Sequence, residues 1–235
     1  MKVIKDTPKQ TYVTFVLDNS GSMACVKNET VSGFNEQLQA VKAMEAPDHE
    51  VFVSFVLFSE PTAITTIRNW VKPSEIAPLT INEYRADGGS TALLDAMMFG
   101  INKTEEQLHN INKGNNAALV IFVTDGGENS SIRHNKGSVK EKIEALTRTD
   151  RFTFTFMGTE SIDSVAHGYG IRAGNVTQFA FGAAGMHTNS ISNSKGIADY
   201  AQLRSTGATF SVSFYNPPST DKKEDEEDTT NKSTT

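Results

Sequence analysis

Thr11–Met23 reads TYVTFVLDNSGSM, a run rich in β-branched, aromatic and aliphatic residues that passes directly into Asp18, Ser20, Gly21 and Ser22. A strand that is apolar on both sides of its pleat belongs in a sheet buried on both faces, which is the environment of parallel strands covered by helices. In an open α/β sheet the loops beyond the carboxyl ends of the strands form the ligand crevice, so oxygen-bearing side chains at that point are placed to bind.

Further along the chain, Val51–Phe58, Ala118–Val123, Phe152–Met157 and Val176–Phe181 carry the same β-forming residues, and all five runs are read as parallel strands. A sixth, Ala63–Arg68, follows the second after a link containing Glu60 and Pro61. That link is too short for a crossover, so the sixth run pairs antiparallel, at an edge. Between the strands, Phe34, Leu38, Val41 and Met44 recur at helical spacing, and a second helical pattern runs from Thr91 to Ile111. Ser138–Leu146 reads as a helix with Ser138 and Glu141 as its capping box. Shorter helices are expected at Ser161–Tyr169 and Ile197–Leu203, the latter preceded by a polar Ser/Asn stretch read as loop. Gly168 to Ala173 formally fits G-x-G-x-x-A, but it ends a helix and precedes a strand, so it is read as a helix stop. Strands alternating with helices give an α/β fold, doubly wound, with helices on both faces of a mostly parallel six-stranded sheet.

The chain has 235 residues, 37% hydrophobic and 21% charged, enough to bury a core without metal or disulfide staples. A net charge of −6 argues against nucleic-acid binding, and no apolar run approaches the ~18 residues of a membrane span. One cysteine, Cys25, cannot form an internal disulfide and is expected as a small buried residue. With no apolar signal after the first charges, the expected location is cytoplasmic. After Phe214 the composition turns to NPPSTDKKEDEEDTTNKSTT, expected to be disordered.

Two other strand ends resemble the first in chemistry. Asp125 follows the strand ending at Val123, and Thr91 lies in the Gly-rich DGGST segment that leads into a helix. Asp18 and Asp125 offer carboxylates, and Ser20, Ser22 and Thr91 offer neutral hydroxyls. This all-oxygen set suits a hard cation such as Mg²⁺, with Mn²⁺ or Ca²⁺ also compatible, rather than zinc. Two carboxylates only neutralise a divalent ion, so an open coordination position attracts another carboxylate and the expected partner is acidic. Asp87 and Asp95 are read as loop caps and Glu128 as a solvated loop carboxylate. The five histidines show no metal-ligand spacing.

D-x-S-x-S after the first strand, a Thr in a G-S-T loop and T-D-G after a later strand resemble the metal-ion-dependent adhesion site of von Willebrand factor A domains. The resemblance covers most of residues 10–210 and implies metal ligation by Asp18, Ser20, Ser22, Thr91 and Asp125. It also implies the strand order 3-2-1-4-5-6 with one antiparallel edge strand, in agreement with the hairpin inferred above. By residue type, Gly21 permits the tight loop, Gly88 and Gly89 allow close backbone approach, and Gly126 turns the chain. The segment FTFTFMGTESIDSVAHGYGI further resembles intracellular bacterial and phage members. The resulting division is an N-terminal extension (1–10), a domain (11–214) and an acidic tail (215–235).

The function implied is a Mg²⁺-dependent protein-binding module that takes a Glu or Asp from its partner, and not an enzyme. The alternatives are a Mg²⁺-dependent phosphohydrolase-like enzyme and a structural or assembly protein. A dehalogenase-type phosphatase needs a second Asp where this chain has Ser20, and neither Ser20 nor Ser22 has a neighbouring base in sequence apart from Lys27. No nucleophile elbow or Walker loop occurs.

Overall fold

In the computed structural model, which describes residues 9–109 and 115–215, the switch of a ten-residue strand into a tight turn at Asp18 lies at the centre of the sheet. The strands are β1 (Lys9–Asp18), β2 (His49–Phe58), β3 (Ile64–Val71), β4 (Asn116–Val123), β5 (Phe152–Gly158) and β6 (Val176–Gln178). The helices are α1 (Lys27–Lys42), α2 (Leu93–His109), α3 (Lys136–Thr147), α4 (Ile162–Tyr169) and α5 (Ala183–Ser205). The sheet order is β3-β2-β1-β4-β5-β6, parallel throughout except for β3, which returns antiparallel along β2 as the short link required. No helix among the described residues is long and apolar enough to cross a membrane.

The period of two in a strand sends successive residues of β1 into different cores. Val13, Phe15 and Leu17 pack with Phe34 and Leu38 of α1 and Met186 and Tyr200 of α5. Tyr12 and Val16 pack with Met97 and Ile101 of α2, Val139 and Ile143 of α3, and Val165 of α4. With β2 on one side of β1 and β4 on the other, the chain changes direction at β1, and the crevice expected at such a switch point opens at Asp18.

Helix α2 is seated unusually close to β1. A Cβ on Gly100 would lie 2.5 Å from Val16 Cγ2. Beside it, the hydroxyls of Thr14 and Thr104 meet at 2.6 Å, and the Thr104 hydroxyl also lies 2.7 Å from the Gly100 carbonyl. This seating fixes where Thr91, just before α2, reaches the crevice.

Several expectations are corrected. The polar stretch before Ile197 is helical from Ala183, because its polar side chains face inward. Asn189 accepts from Thr177 and Asn193 donates to Gln37, while Ser190 lies where a Cβ on Gly33 of α1 would be only 2.0 Å from its Oγ. The capping box of α3 is Asn135 with Ser138, one turn earlier than Ser138 with Glu141, since the helix begins at Lys136. β6 stops at Gln178, short of Phe181. Cys25 is exposed, because the short helical turn Gly21–Val26 points Met23 and Val26 inward instead. The helix stop at Gly170 is as expected, in the left-handed region at φ 72°. The expected end of the second helix at Ile111 and most of the expected tail, 216–235, lie outside the described residues, as does 1–8. Tyr215 is held by its N–H on Gly174 and its hydroxyl on Asn193.

At the opposite end of the sheet Arg204 is wholly buried, its guanidinium donating to Thr11 Oγ1 and to the carbonyls of Gln10, Ala208 and Asn115. Thr11 Oγ1, already an acceptor from Arg204, lies 2.8 Å from His49 Nε2 and must donate its own proton there, so His49 is neutral and protonated on Nδ1. Burial, reinforced by the charges of Arg204 and Lys9, lowers its pKa from 6.5 to about 4. The unfolded chain therefore takes up this proton first, and stability falls as pH drops from 6.5 towards 4. We expect His49→Gln to flatten that part of the pH dependence in urea unfolding; an unchanged profile would show that His49 titrates normally. We also expect Gly100→Ala to cost about 1–3 kcal/mol in the same measurement despite alanine's higher helix propensity, because Val16 is packed where the methyl must go.

Candidate metal centre

Asp18 is completely buried at the end of β1. Its Oδ1 accepts from Ser20 N at 2.8 Å, its Oδ2 from Thr124 Oγ1 at 2.6 Å, and its carbonyl from the buried Tyr84 hydroxyl at 2.7 Å. The turn that follows is fastened to the loop before α2 by backbone: Gly21 N donates to the Gly88 carbonyl and Gly88 N to the Asn19 carbonyl. Asn19 Oδ1 accepts from Arg85 N and Ala86 N. Gly88 is required by this approach, since a Cβ there would lie 2.2 Å from Ser59 Cβ, whereas a Cβ on Gly89 would meet nothing within 4 Å.

The other two loops are stitched together as firmly. Thr91 N donates to Asn129 Oδ1 and Asn129 N donates back to the Thr91 carbonyl. Glu128, expected as a solvated carboxylate, is half-buried and spans the two loops, accepting from Leu94 N at the start of α2 and from the N–H groups of Ser130 and Ser131. Asp95 caps the loop after β4 by accepting from the N–H groups of Ile132, Arg133 and His134. Asp87 stays on the surface, paired with Arg85.

All five expected oxygen-bearing residues converge. Ser20 Oγ lies 3.1 Å from Ser22 Oγ, and Ser22 Oγ donates to Asp125 Oδ1 at 2.9 Å. A Cβ on Gly126 would be 3.7 Å from Thr91 Oγ1 and 3.8 Å from Ser22 Oγ, so Thr91 stands beside the same cluster. Asp125 Oδ2 is buried and has no hydrogen-bond partner. Burial raises the pKa of Asp18, opposed by its bonds to Thr124 and Ser20 and reinforced by the charge of Asp125. Burial likewise raises that of Asp125, opposed by Ser22.

Two carboxylates removed from water, one with an unpartnered oxygen, and neither in an ion pair among the described residues, are an expensive arrangement without a cation. The described residues hold no group of three or more His, Cys, Asp or Glu set for a metal. A hard cation here would rely on neutral hydroxyls beside the two carboxylates, a donor set that fits oxygen-seeking ions. The residues that hold Asp18 were missed in the sequence. Thr124 stood next to Asp125 within the T-D-G motif, but nothing in sequence marked Tyr84, which lies 66 positions from Asp18.

The sequence profile of the von Willebrand factor type A domain matches residues 13–212. No curated protein matches the chain in sequence. Among solved structures, the fold is similar to the pilus adhesin SpaC from Lactobacillus rhamnosus GG (TM-score 0.60, 12% identity, covering 82% of this chain and 31% of that one). It is similar to proximal thread matrix protein 1 from the mussel byssus, with a zinc-occupied MIDAS motif (TM-score 0.56, 13% identity, covering 80% and 48%). The PilB minor pilin from Streptococcus sanguinis is also similar (TM-score 0.54, 13% identity, covering 82% and 62%). The chain thus spans less than two thirds of each of these proteins, and at such identities the likeness is one of fold. With the profile matched over most of its length, the chain belongs to the von Willebrand factor type A domain family.

Proposed function

We propose that this domain binds a divalent cation through Asp18, Ser20, Ser22, Thr91 and Asp125 and uses it to hold a carboxylate of an acidic partner protein. The observation that carries the reading is the buried, unpartnered Asp125 Oδ2 beside a chain of serine hydroxyls. Mg²⁺ is the preferred ion for an all-oxygen set, with Mn²⁺ and Ca²⁺ compatible. The zinc at the MIDAS motif of the mussel protein makes zinc a necessary control. When bound, such a cation supplies a Lewis-acidic position for an anionic oxygen from outside.

The protein's own contribution is to hold its donors in place beforehand. Ser20 N and Thr124 fix the Asp18 carboxylate, Tyr84 anchors its backbone, and the Asn129 pair fixes the Thr91 loop. Only the serine hydroxyls need to rotate. Binding rather than catalysis is favoured because, among the described residues, no histidine or lysine hydrogen-bonds to Ser20 or Ser22, so neither has the base a nucleophile requires. The adhesin, pilin and thread protein that share the fold are in keeping with a binding role.

In calorimetry and thermal melts we expect Mg²⁺ or Mn²⁺ to bind and to raise the melting temperature, with about 2.7 kcal/mol of stabilisation at a hundredfold excess over Kd. Asp18→Ala and Asp125→Asn should abolish the shift while keeping the native circular dichroism. Because the folded state raises the pKa of Asp125, its ionisation costs stability above the unfolded value. The metal-free Asp125→Asn protein should therefore be at least as stable as metal-free wild type at neutral pH. Absence of ion uptake by the folded wild type would overturn the proposal.

A further inference from the structure

A groove of about 590 Å³ begins beside the proposed metal centre and runs along the outer face of α2. Its upper end is set by Pro61, adjacent to Glu60, whose carboxylate accepts from Gly89 N, and by Asp95, one helical turn past Thr91. Its lower end is Glu106. Asp95, Phe99, Lys103 and Glu106 all lie on this face, and the eleven positions from the first to the last span about 16 Å of helix. An extended chain covers that distance in about five residues.

The lining is apolar with a cationic bias. Pro61, Ile64 and Phe99 provide the apolar surface, and Phe99 is 39% exposed, unusual for a large aromatic on a helix that otherwise packs its apolar side chains inward. Lys103 is held over the Trp70 ring and bonded to Asn69, and Arg133 joins none of the ion pairs among the described residues. Of the two acidic residues, Asp95 is occupied by three backbone N–H groups of the loop after β4, which leaves Glu106 at the far end as the free carboxylate. The upper part of the groove therefore offers two cationic groups with no available counter-charge between them.

We infer that this groove receives an extended segment of the same partner whose carboxylate reaches the metal centre. That segment carries an apolar side chain for Phe99, Pro61 and Ile64, and a second acidic group for Arg133 and Lys103. The inference rests on the metal-dependent reading above and adds to it the means of choosing a partner: the cation takes any exposed carboxylate, whereas the groove selects what lies within about five residues of it.

The test uses a random peptide library displayed on phage, panned on the full chain in Mg²⁺, with selected peptides titrated by fluorescence anisotropy. We expect enrichment of peptides with one Asp or Glu followed within a few positions by an apolar residue and a second acidic one. Arg133→Glu should weaken them about tenfold, and Phe99→Ser several-fold, while neither variant changes Mg²⁺ uptake in calorimetry. Binding that EDTA abolishes but that both groove variants leave intact would overturn the groove and keep the metal reading. Binding that resists EDTA but is lost in both variants would support the groove and overturn the metal's part. An empty selection overturns the groove, as does self-association lost in Phe99→Ser, which would give this face to a second copy of the chain.

Discussion

Burial of the Asp18 carboxylate at the carboxyl end of the central strand is the constraint around which the rest of the structure is arranged. A carboxylate taken wholly out of water is tolerated only when its oxygens are bonded and its charge is answered. Ser20 N and Thr124 do the first. No cationic side chain among the described residues does the second. Asp125 compounds the imbalance, adding a second buried acid with one oxygen unpartnered. The loops that surround the pair are accordingly tied to one another by backbone and side-chain bonds, so the hydroxyls stay clustered before any ion arrives.

That rigidity is inherited from the sheet. β1 is buried on both faces, so neither of its cores can shift without the other, and α2 is pressed against it where only Gly100 allows the approach. Each of the three loops thus begins or ends on an element whose position is fixed by packing. Glu128 and Asp95 then join the start of α2 to the loop after β4, so the acids nearest the cluster serve as structural ties and leave the cation's charge to be met by Asp18 and Asp125 alone.

The architecture was legible because its strands are nearly continuous apolar runs and its edge hairpin has a link too short for any other geometry. The site was legible for a different reason: oxygen-bearing residues at three strand ends fall together once the sheet is parallel. What was hidden depended on long-range contacts. Helix α5 carries no apolar periodicity across Asn189, Ser190 and Asn193, since those residues bury themselves against β6 and α1 through hydrogen bonds and a close approach to Gly33. Tyr84 and Glu128 look in sequence like ordinary loop residues, and their partners are brought to them by the fold. Cys25 was misplaced because burial within a short helical turn follows its own spacing, which gave the interior to Met23 and Val26.

The central claim is that a cation sits among these five residues. Crystals of the protein grown with Mn²⁺ and measured for anomalous scattering test it most directly. We expect one strong peak with the Ser20 and Ser22 hydroxyls and an Asp125 oxygen within about 2–2.6 Å, or reached through water. A well-ordered site without a peak, with Asp125 Oδ2 bonded to a protein donor instead, would contradict it.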